Sequence, residues 1–467
     1  MSDTRAFRIA GTGARLLGGA VVAVVAVAAT VAGVAFGWPG HAPSPVSVTV
    51  APAPAATVLT CAGPLLALGR DSAAASQLSV AADADVTVGV AAGERAPRED
   101  AVTTTGVDAS PGATRLTAAP KGRSRADIAG ATSATAAAED LRGFTASACA
   151  PGLTESWLVG GATTTGSADL VLLANPGTVA ATVDLTVYGA QGRQVPPGGS
   201  GIVVPAGTQR VVPLAGLVLG EEAPVVRVTA SGAPVQAALQ SSITRTLVTG
   251  GVDQEGAIVG SARSQVVPGV RVTVAPGGNE PTTVARLLAP AASTTATLTV
   301  TDAGGKEVMT RQVPLTAGAP AEVELDALPR GVYSVTATAG APLVAAVWQA
   351  TGSGAGSDFA WFTAAPALSA ATLVAVPSGP SPQIAVANTG ADAATVTLEP
   401  VDGGSSRRIL VDPGETVTAS VTAGATYRLD PGKTPVTASV SFAAQGALAA
   451  FSIWPALGTP APIRVYP

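Results

Sequence analysis

Few residues in this chain are equipped for catalysis. The one histidine, His41, stands in a proline-rich stretch, so Ser/His/Asp triads, histidine metal sites and Cys/His nucleophile pairs have almost no raw material. There remain 31 Asp and Glu residues, and a glycoside hydrolase needs only two carboxylates at a suitable separation. Glu221 with Glu222, Asp253 with Glu255, and Asp358 all sit among residues that read as turns between strands. Asp302, Asp392 and Asp402 do the same, and only Asp302 and Asp402 recur at matching places in an internal repeat. The expectation is therefore solvated loop carboxylates. A D-x-D-x-D calcium cluster is absent, and TGSGAGSD (351–358) lacks the G-x-x-x-x-G-K-[ST] pattern of a phosphate loop, so it reads as a hairpin connection. No cofactor and no metal is expected. Phe359, Trp361, Phe362, Phe451 and Trp454 would suit a sugar-stacking platform if exposed, but buried packing is the preferred reading.

The two cysteines, Cys61 and Cys149, belong to no CxxC or His-linked pattern. In an oxidising compartment such a pair reads as one disulfide, with two buried free thiols as the alternative. The N-terminus sets that compartment. Arg5, Arg8 and Arg15 precede an uncharged run from Leu16 to Trp38, about 34 Å of helix at about 1.5 Å per residue. The run is longer than a signal-peptide core, and no A-x-A-like cleavage site follows. With Arg inside and Trp38 at the outer end, it reads as an uncleaved signal anchor, N-terminus in the cytoplasm and body outside. A cleaved export signal is the main alternative.

What those elements carry is a repeat. Asn175-Pro176-Gly177 in LLANPG corresponds to Asn388-Thr389-Gly390 in AVANTG, and Ala289-Pro290 holds the same place in a middle copy. Each is followed by an alternating run and a Gly-containing turn. Further on, Pro234, Pro342 and Pro435 align in three segments that read strand, Gly turn, Pro, strand. The Asn side chain is expected to cap its turn, although the loop would also serve as a binding tip. About 100 residues per copy, with short alternating strands, is the signature of an immunoglobulin-like β-sandwich. Val183, Leu185, Val187, Leu298 and Val300 fall on core-facing positions, and Trp157, Trp348, Trp361 and Trp454 are expected as plugs at strand ends.

The chain is thus expected to be all-β: an N-terminal transmembrane helix followed by tandem immunoglobulin-like sandwiches. Its expected segments are a cytoplasmic N-terminus (1–15), an anchor (16–38), a Pro/Ala-rich spacer (39–56), a β-rich domain of unassigned fold (57–155) and three repeats (156–262, 263–366, 367–467). Bulk composition agrees, with 47% hydrophobic and 12% charged residues among 91 Gly and Pro. A net charge of −5 without basic clusters excludes nucleic acid as a partner.

CAGPLL (61–66), SACAPGLTESWLVGG (147–161) and LLANPG (172–177), in this order, resemble actinobacterial membrane-anchored proteins of unknown function grouped as DUF5719. The resemblance implies a secreted or anchored envelope protein and brings no catalytic residues. The leading expectation is a non-enzymatic, single-pass envelope protein of the plasma membrane, a stalk binding or scaffolding a protein or a cell-wall glycan. The alternatives are an accessory subunit of a membrane glycosyltransferase in wall-polymer assembly and, behind it, a wall-glycan hydrolase.

Overall fold

Alternation builds the sheets. In Ala181–Gly189 the side chains of Ala181, Val183, Leu185 and Val187 are buried while Thr182 and Asp184 face solvent, the period-2 pattern of a strand with one face on a core. The computed structural model describes residues 3–36, 47–70, 77–107, 112–275, 281–325, 327–458 and 462–466. Trp38, His41 and the 39–46 part of the expected spacer lie outside the described residues.

Two compact units result, Met1–Ala53 with Pro460–Pro467, and Pro54–Thr459. The first holds the helix Asp3–Ala35, whose stretch Gly13–Ala35 has a mean hydropathy of 2.3 and buries none of its residues. It also holds a two-stranded ribbon in which Val48–Val50 pairs antiparallel with Ile463–Val465.

The second unit contains three sandwiches with one wiring. Counting strands within each copy, strand 3 pairs with 4 and 6, strand 6 with 1, strand 2 with 5 and 7, and strand 7 with 8. In the first repeat strands 1 to 8 are Glu155–Val159, Leu170–Asn175, Ala181–Gly189, Ile202–Val204, Thr208–Pro213, Val225–Ser231, Gln236–Arg245 and Val248–Gly256. In the second, strands 1 to 5 are Ala262–Val272, Thr283–Leu288, Thr294–Asp302, Glu307–Leu315 and Ala321–Glu324, strands 6 and 7 both belong to Gly331–Ala350, and strand 8 is Phe359–Thr363. In the third they are Thr372–Ala375, Gln383–Ala387, Ala394–Pro400, Arg407–Val411, Thr416–Ser420, Thr426–Asp430, Thr437–Ala444 and Ala447–Ser452. Two antiparallel sheets, ordered 4-3-6-1 and 5-2-7-8, face each other across each core. This is the immunoglobulin-like architecture, with strand 1 on the sheet of 3 and 6 and strand 7 on the sheet of 2 and 5. The first repeat packs its core from Val, Leu, Ile and Ala with no aromatic ring.

The region before the repeats is a reduced copy of the same design. Thr57–Cys61 pairs with Ala113–Ala118, which pairs with Arg98–Thr104; Asp85–Val90 pairs with Ile128–Ala137, which pairs with Arg142–Ala148. These are the contacts 1–6, 6–3, 2–7 and 7–8, with no strand 4 or 5 among the described residues and a hairpin (Leu65–Leu68 with Leu78–Ala82) inserted after strand 1. Without strand 4, strand 3 is an open edge, the kind of edge that recruits another chain segment. Here strand 5 of the first repeat supplies it, in parallel: Thr208 against Thr103 and Gln209 against Thr104. One seven-stranded sheet thus runs across the expected seam at 155/156, so self-contained sheet pairs give way to a continuous one.

Two further expectations are corrected. In the second repeat there is no Gly turn before Pro342: Gly331–Ala350 is one 20-residue strand that serves as strand 6 in one sheet and strand 7 in the other. Pro342 lies at the crossing between the two ladders. Pro234 and Pro435 do precede strands, Gln236–Arg245 and Thr437–Ala444. Three of the four tryptophans are not end plugs either, since Trp157, Trp348 and Trp361 lie within strands, whereas Trp454 is half-buried just past the end of Ala447–Ser452.

The four strand-8 segments converge. Arg142–Ala148 packs on Val248–Gly256 and on Ala447–Ser452, and Phe359–Thr363 packs on the same two, which closes a ring. Asp358 stands at its centre. Its carboxylate accepts the Phe144 N–H (2.9 Å), the Leu448 N–H (3.1 Å) and the Val252 N–H (3.2 Å), one from each of the other three sandwiches. Gly143 (φ +150°) and Gly251 (φ +117°) are needed beside it, because a Cβ at either would collide with Asp358.

Cys61 and Cys149 form a disulfide across 88 positions, joining strand 1 of the reduced sandwich to the residue after its strand 8. Reducing it, or replacing both residues by alanine, is expected to cost about 2–4 kcal/mol. Urea unfolding of oxidised and reduced protein measures this, and coincident midpoints would contradict it.

Candidate functional site

Four strands of the second repeat's 5-2-7-8 sheet present a polar and aromatic outer face to the first repeat. Register places Trp361 opposite Trp348, Trp348 opposite Val284, and Arg286 opposite Glu322. The Arg286 guanidinium lies 4.6 Å from the Trp361 ring centre and is buried. Its Nε donates to Glu322 Oε1 (2.9 Å), Nη1 to the carbonyls of Gly161 (2.8 Å) and Pro224 (2.9 Å), and Nη2 to that of Glu222 (3.2 Å). One planar cation therefore ties the second repeat to two loops of the first, and burial pulls its pKa down from the usual value.

The first repeat answers with carboxyls. Asp169 accepts the N–H groups of Ala162 (2.5 Å) and Ser242 (3.2 Å), and burial pushes it up to about 7 against those bonds and the Arg286 charge. Asp253 and Glu255 alternate along Val248–Gly256, where alternation places them on one face. Asp253 Oδ2 accepts the Trp361 N–H (2.7 Å), and burial raises its pKa to about 7. Neither Glu255 oxygen has a hydrogen-bond partner among the described residues; burial first, then the Asp253 charge, holds its pKa well above the ordinary carboxylate range. Burial raises Asp358 to about 8. The expectation of solvated carboxylates holds for Glu222, Asp392 and Asp402, which are exposed, and fails for four others: Asp253, Glu255 and Asp358 are 0–1% exposed, and Glu221 is buried with its carboxylate accepting the Ala190 N–H.

Between the two repeats lies a cleft of about 390 Å³. Trp348, Phe359 and Trp361 form one wall, and Asp169, Ser241 and the 164–167 loop the other. Asp253 and Glu255 are not among its lining residues. Among the described residues no group of three or more His, Cys, Asp or Glu side chains is arranged to hold a metal ion.

The repeat-signature residues lie elsewhere. Asn175 is buried and donates to Val179 O (2.8 Å) and Val204 O (2.9 Å) while accepting the Gly177 N–H (3.0 Å). Asn388 repeats this with Asp392 O, Val411 O and the Gly390 N–H at 2.8, 2.9 and 2.9 Å. Both amides are spent on holding strand 2 to its own loop and to strand 4, and Pro176 completes the first loop. Of the aromatics considered as a platform, Phe359, Trp361, Phe362 and Phe451 are buried.

Two outcomes follow. Asn175→Ala and Asn388→Ala each leave three backbone groups without a partner and should lose about 3 kcal/mol in urea unfolding. The buried carboxyls set a pH dependence. Their protons are held to higher pH in the folded chain than in the unfolded chain, where carboxyls titrate near about 4. Their contribution to stability is therefore complete below about pH 4 and lost as pH rises through 7 to 8. The melting temperature should fall between about pH 5 and 8. Asp253→Asn, which keeps an oxygen for the Trp361 N–H, should flatten that slope; an unchanged slope would show that Asp253 does not carry it.

The family model of DUF5719, a family of unknown function, matches residues 101–432. No curated protein matches the chain. Among solved structures it is similar to the FN1–FN3 domains of chicken CNTN1, at 12% identity over 65% of this chain and 98% of that one, with a TM-score of 0.11. It is also similar to a tetra-tandem repeat in the extending region of a large adhesion protein, at 14% identity, 88% and 94% coverage and a TM-score of 0.12. The fold assignment rests on the strand pairing, not on these two. With well over half of its residues matched, this chain belongs to DUF5719.

Proposed function

We propose that the chain is a non-enzymatic protein of a bacterial cell envelope, anchored by one span and displaying its β-sandwich body outside the plasma membrane to bind or scaffold a partner. The observation that carries this reading is the helix segment Gly13–Ala35, 23 residues of which none is buried and in which Thr30 is the one polar side chain after Arg15. A helix apolar all round has no polar face to give to water and suits a lipid surround. The disulfide supports an oxidising compartment, and the basic residues ahead of the span support a cytoplasmic N-terminus.

The carboxyls support binding over turnover. A glycosidase needs an acid and a base that both reach the substrate, whereas Asp253 and Asp358 accept backbone N–H groups of neighbouring sandwiches and Asp169 accepts two within its own. The domain segments given above, read as one assembly from 57 onward, are part of the proposal. So is a protein or wall glycan as the partner.

Protease shaving of intact cells tests it. The body should be digested while a short N-terminal fragment stays with the membrane through alkaline extraction. Recovery of intact protein in the cytosol, with two alkylatable thiols, would refute the reading.

A further inference from the structure

We infer that the cleft between the first and second repeats is a binding site for a neutral saccharide; this rests on the proposed non-enzymatic binding function and names its ligand class. Three observations carry it. First, the indole of Trp348 is half-buried while its register partner Trp361 is covered. Arg286 occupies the region of the Trp361 ring, so Trp348 is the aromatic surface left for a ligand. A flat aromatic ring beside hydroxyls and a carboxyl suits a pyranose, which offers apolar C–H faces and a rim of hydroxyls.

Second, most of the charged groups lining the cleft are engaged: Arg286 pairs with Glu322, Arg245 has interactions of its own, and Glu222 is the exposed exception. Arg286 is spent on Glu322 and three carbonyls, and Asp169 sits near 7 with two N–H donors already in hand. A strongly anionic ligand would find no free cation in Arg286, and a cationic one would meet a weakly charged Asp169, a Glu322 already paired with Arg286, and Glu222. Thr164, Thr165 and Ser167 line the same space with hydroxyls, groups that both donate and accept, as sugar hydroxyls do.

Third, Ser241 is 2% exposed, lines the cleft, and its Oγ has no partner among the described residues. A buried hydroxyl without a partner is a cost to folding. Nothing in the sandwich needs it, and a ligand hydroxyl in the cleft would satisfy it. The volume, about 390 Å³, is within the range of small-ligand sites.

The test uses the full chain purified in detergent. Maltotriose, mannotriose, galactobiose, arabinotriose and chitotriose are titrated by calorimetry and tryptophan fluorescence, with polygalacturonate and oligolysine as charged probes. At least one neutral saccharide should bind saturably with a Kd of about 1 mM or tighter. Trp348→Ala should weaken it about tenfold or more, and Trp348→Phe should retain most of it. Ser241→Ala should weaken binding about fivefold to tenfold while leaving the melting temperature unchanged or raised; a purely structural serine would give no affinity loss.

The inference is overturned if no neutral saccharide binds below about 20 mM, far weaker than such sites work, while the melting temperature shows a folded protein. It is equally overturned if saccharide binding survives Trp348→Ala, or if a charged probe occupies the cleft in preference. Membrane anchoring is measured separately by shaving, so a failed titration leaves that part of the functional reading standing.

Discussion

The body depends on one buried carboxylate. Asp358 collects a backbone N–H from each of the three sandwiches other than its own, at the place where their last strands meet. Those three donors sit at the starts or within the edges of strands, where a sheet ladder leaves N–H groups pointing outward. Buried without a partner, each would cost about 1–3 kcal/mol. A single side chain with two oxygens meets all three, and only because Gly143 and Gly251 leave room for it. Burial and hydrogen bonding pull its protonation in opposite directions, burial prevailing. The junction is thus held by a group whose charge depends on its surroundings remaining dry.

That junction explains why one copy can be incomplete. The reduced sandwich has no strand 4 or 5 among the described residues, so one of its sheets ends on an open edge and its core on too few side chains. The edge is covered by strand 5 of its neighbour. Three glutamines of the first repeat complete the join. Gln209 donates to Ala62 O, Gln240 brackets Leu66 through both its N–H and its carbonyl, and Gln254 donates to Gly63 O. Each replaces a missing strand-to-strand bond with an amide side chain, which offers the same donor and acceptor. The disulfide adds the covalent closure that the smaller core needs.

Much of this was legible in the sequence, for a physical reason. Alternation and Gly-containing turns are local properties, so the three repeats and the inward faces of Val183 or Leu298 follow from neighbours in the chain. The Asn at the end of strand 2 was visible because its hydrogen bonds recur in two copies with the same spacing. The reduced copy was not, since among the described residues it has neither the Asn nor strands 4 and 5, and only pairing reveals its order. Asp253 and Glu255 were misread as turn residues because two charges after Gly250 and Gly251 look solvated. Their i, i+2 spacing was the available sign of a strand face. Which surface covers that face is a property of the assembly and has no local trace. The continuous Gly331–Ala350 strand misled in the same way, because Gly340 and Pro342 mark a turn only when nothing on both sides extends the ladder.

The interface between the first and second repeats is built differently from the central junction, and the difference argues for use. At Asp358 both oxygens are matched to N–H groups. At the other contact Arg286 is well satisfied, yet Glu255, one oxygen of Asp253 and the Ser241 hydroxyl are buried without partners among the described residues. Apolar residues of similar size would pack there at lower cost. Folding alone gives no reason for polar groups to gather behind and along one wall of a cleft. The unsatisfied groups are also graded: Glu255 lies behind the wall, pressed against Gly160, whereas Ser241 reaches the cleft itself. A polar occupant of that cleft would relieve the second directly, and it would meet the half-exposed Trp348 as it did so.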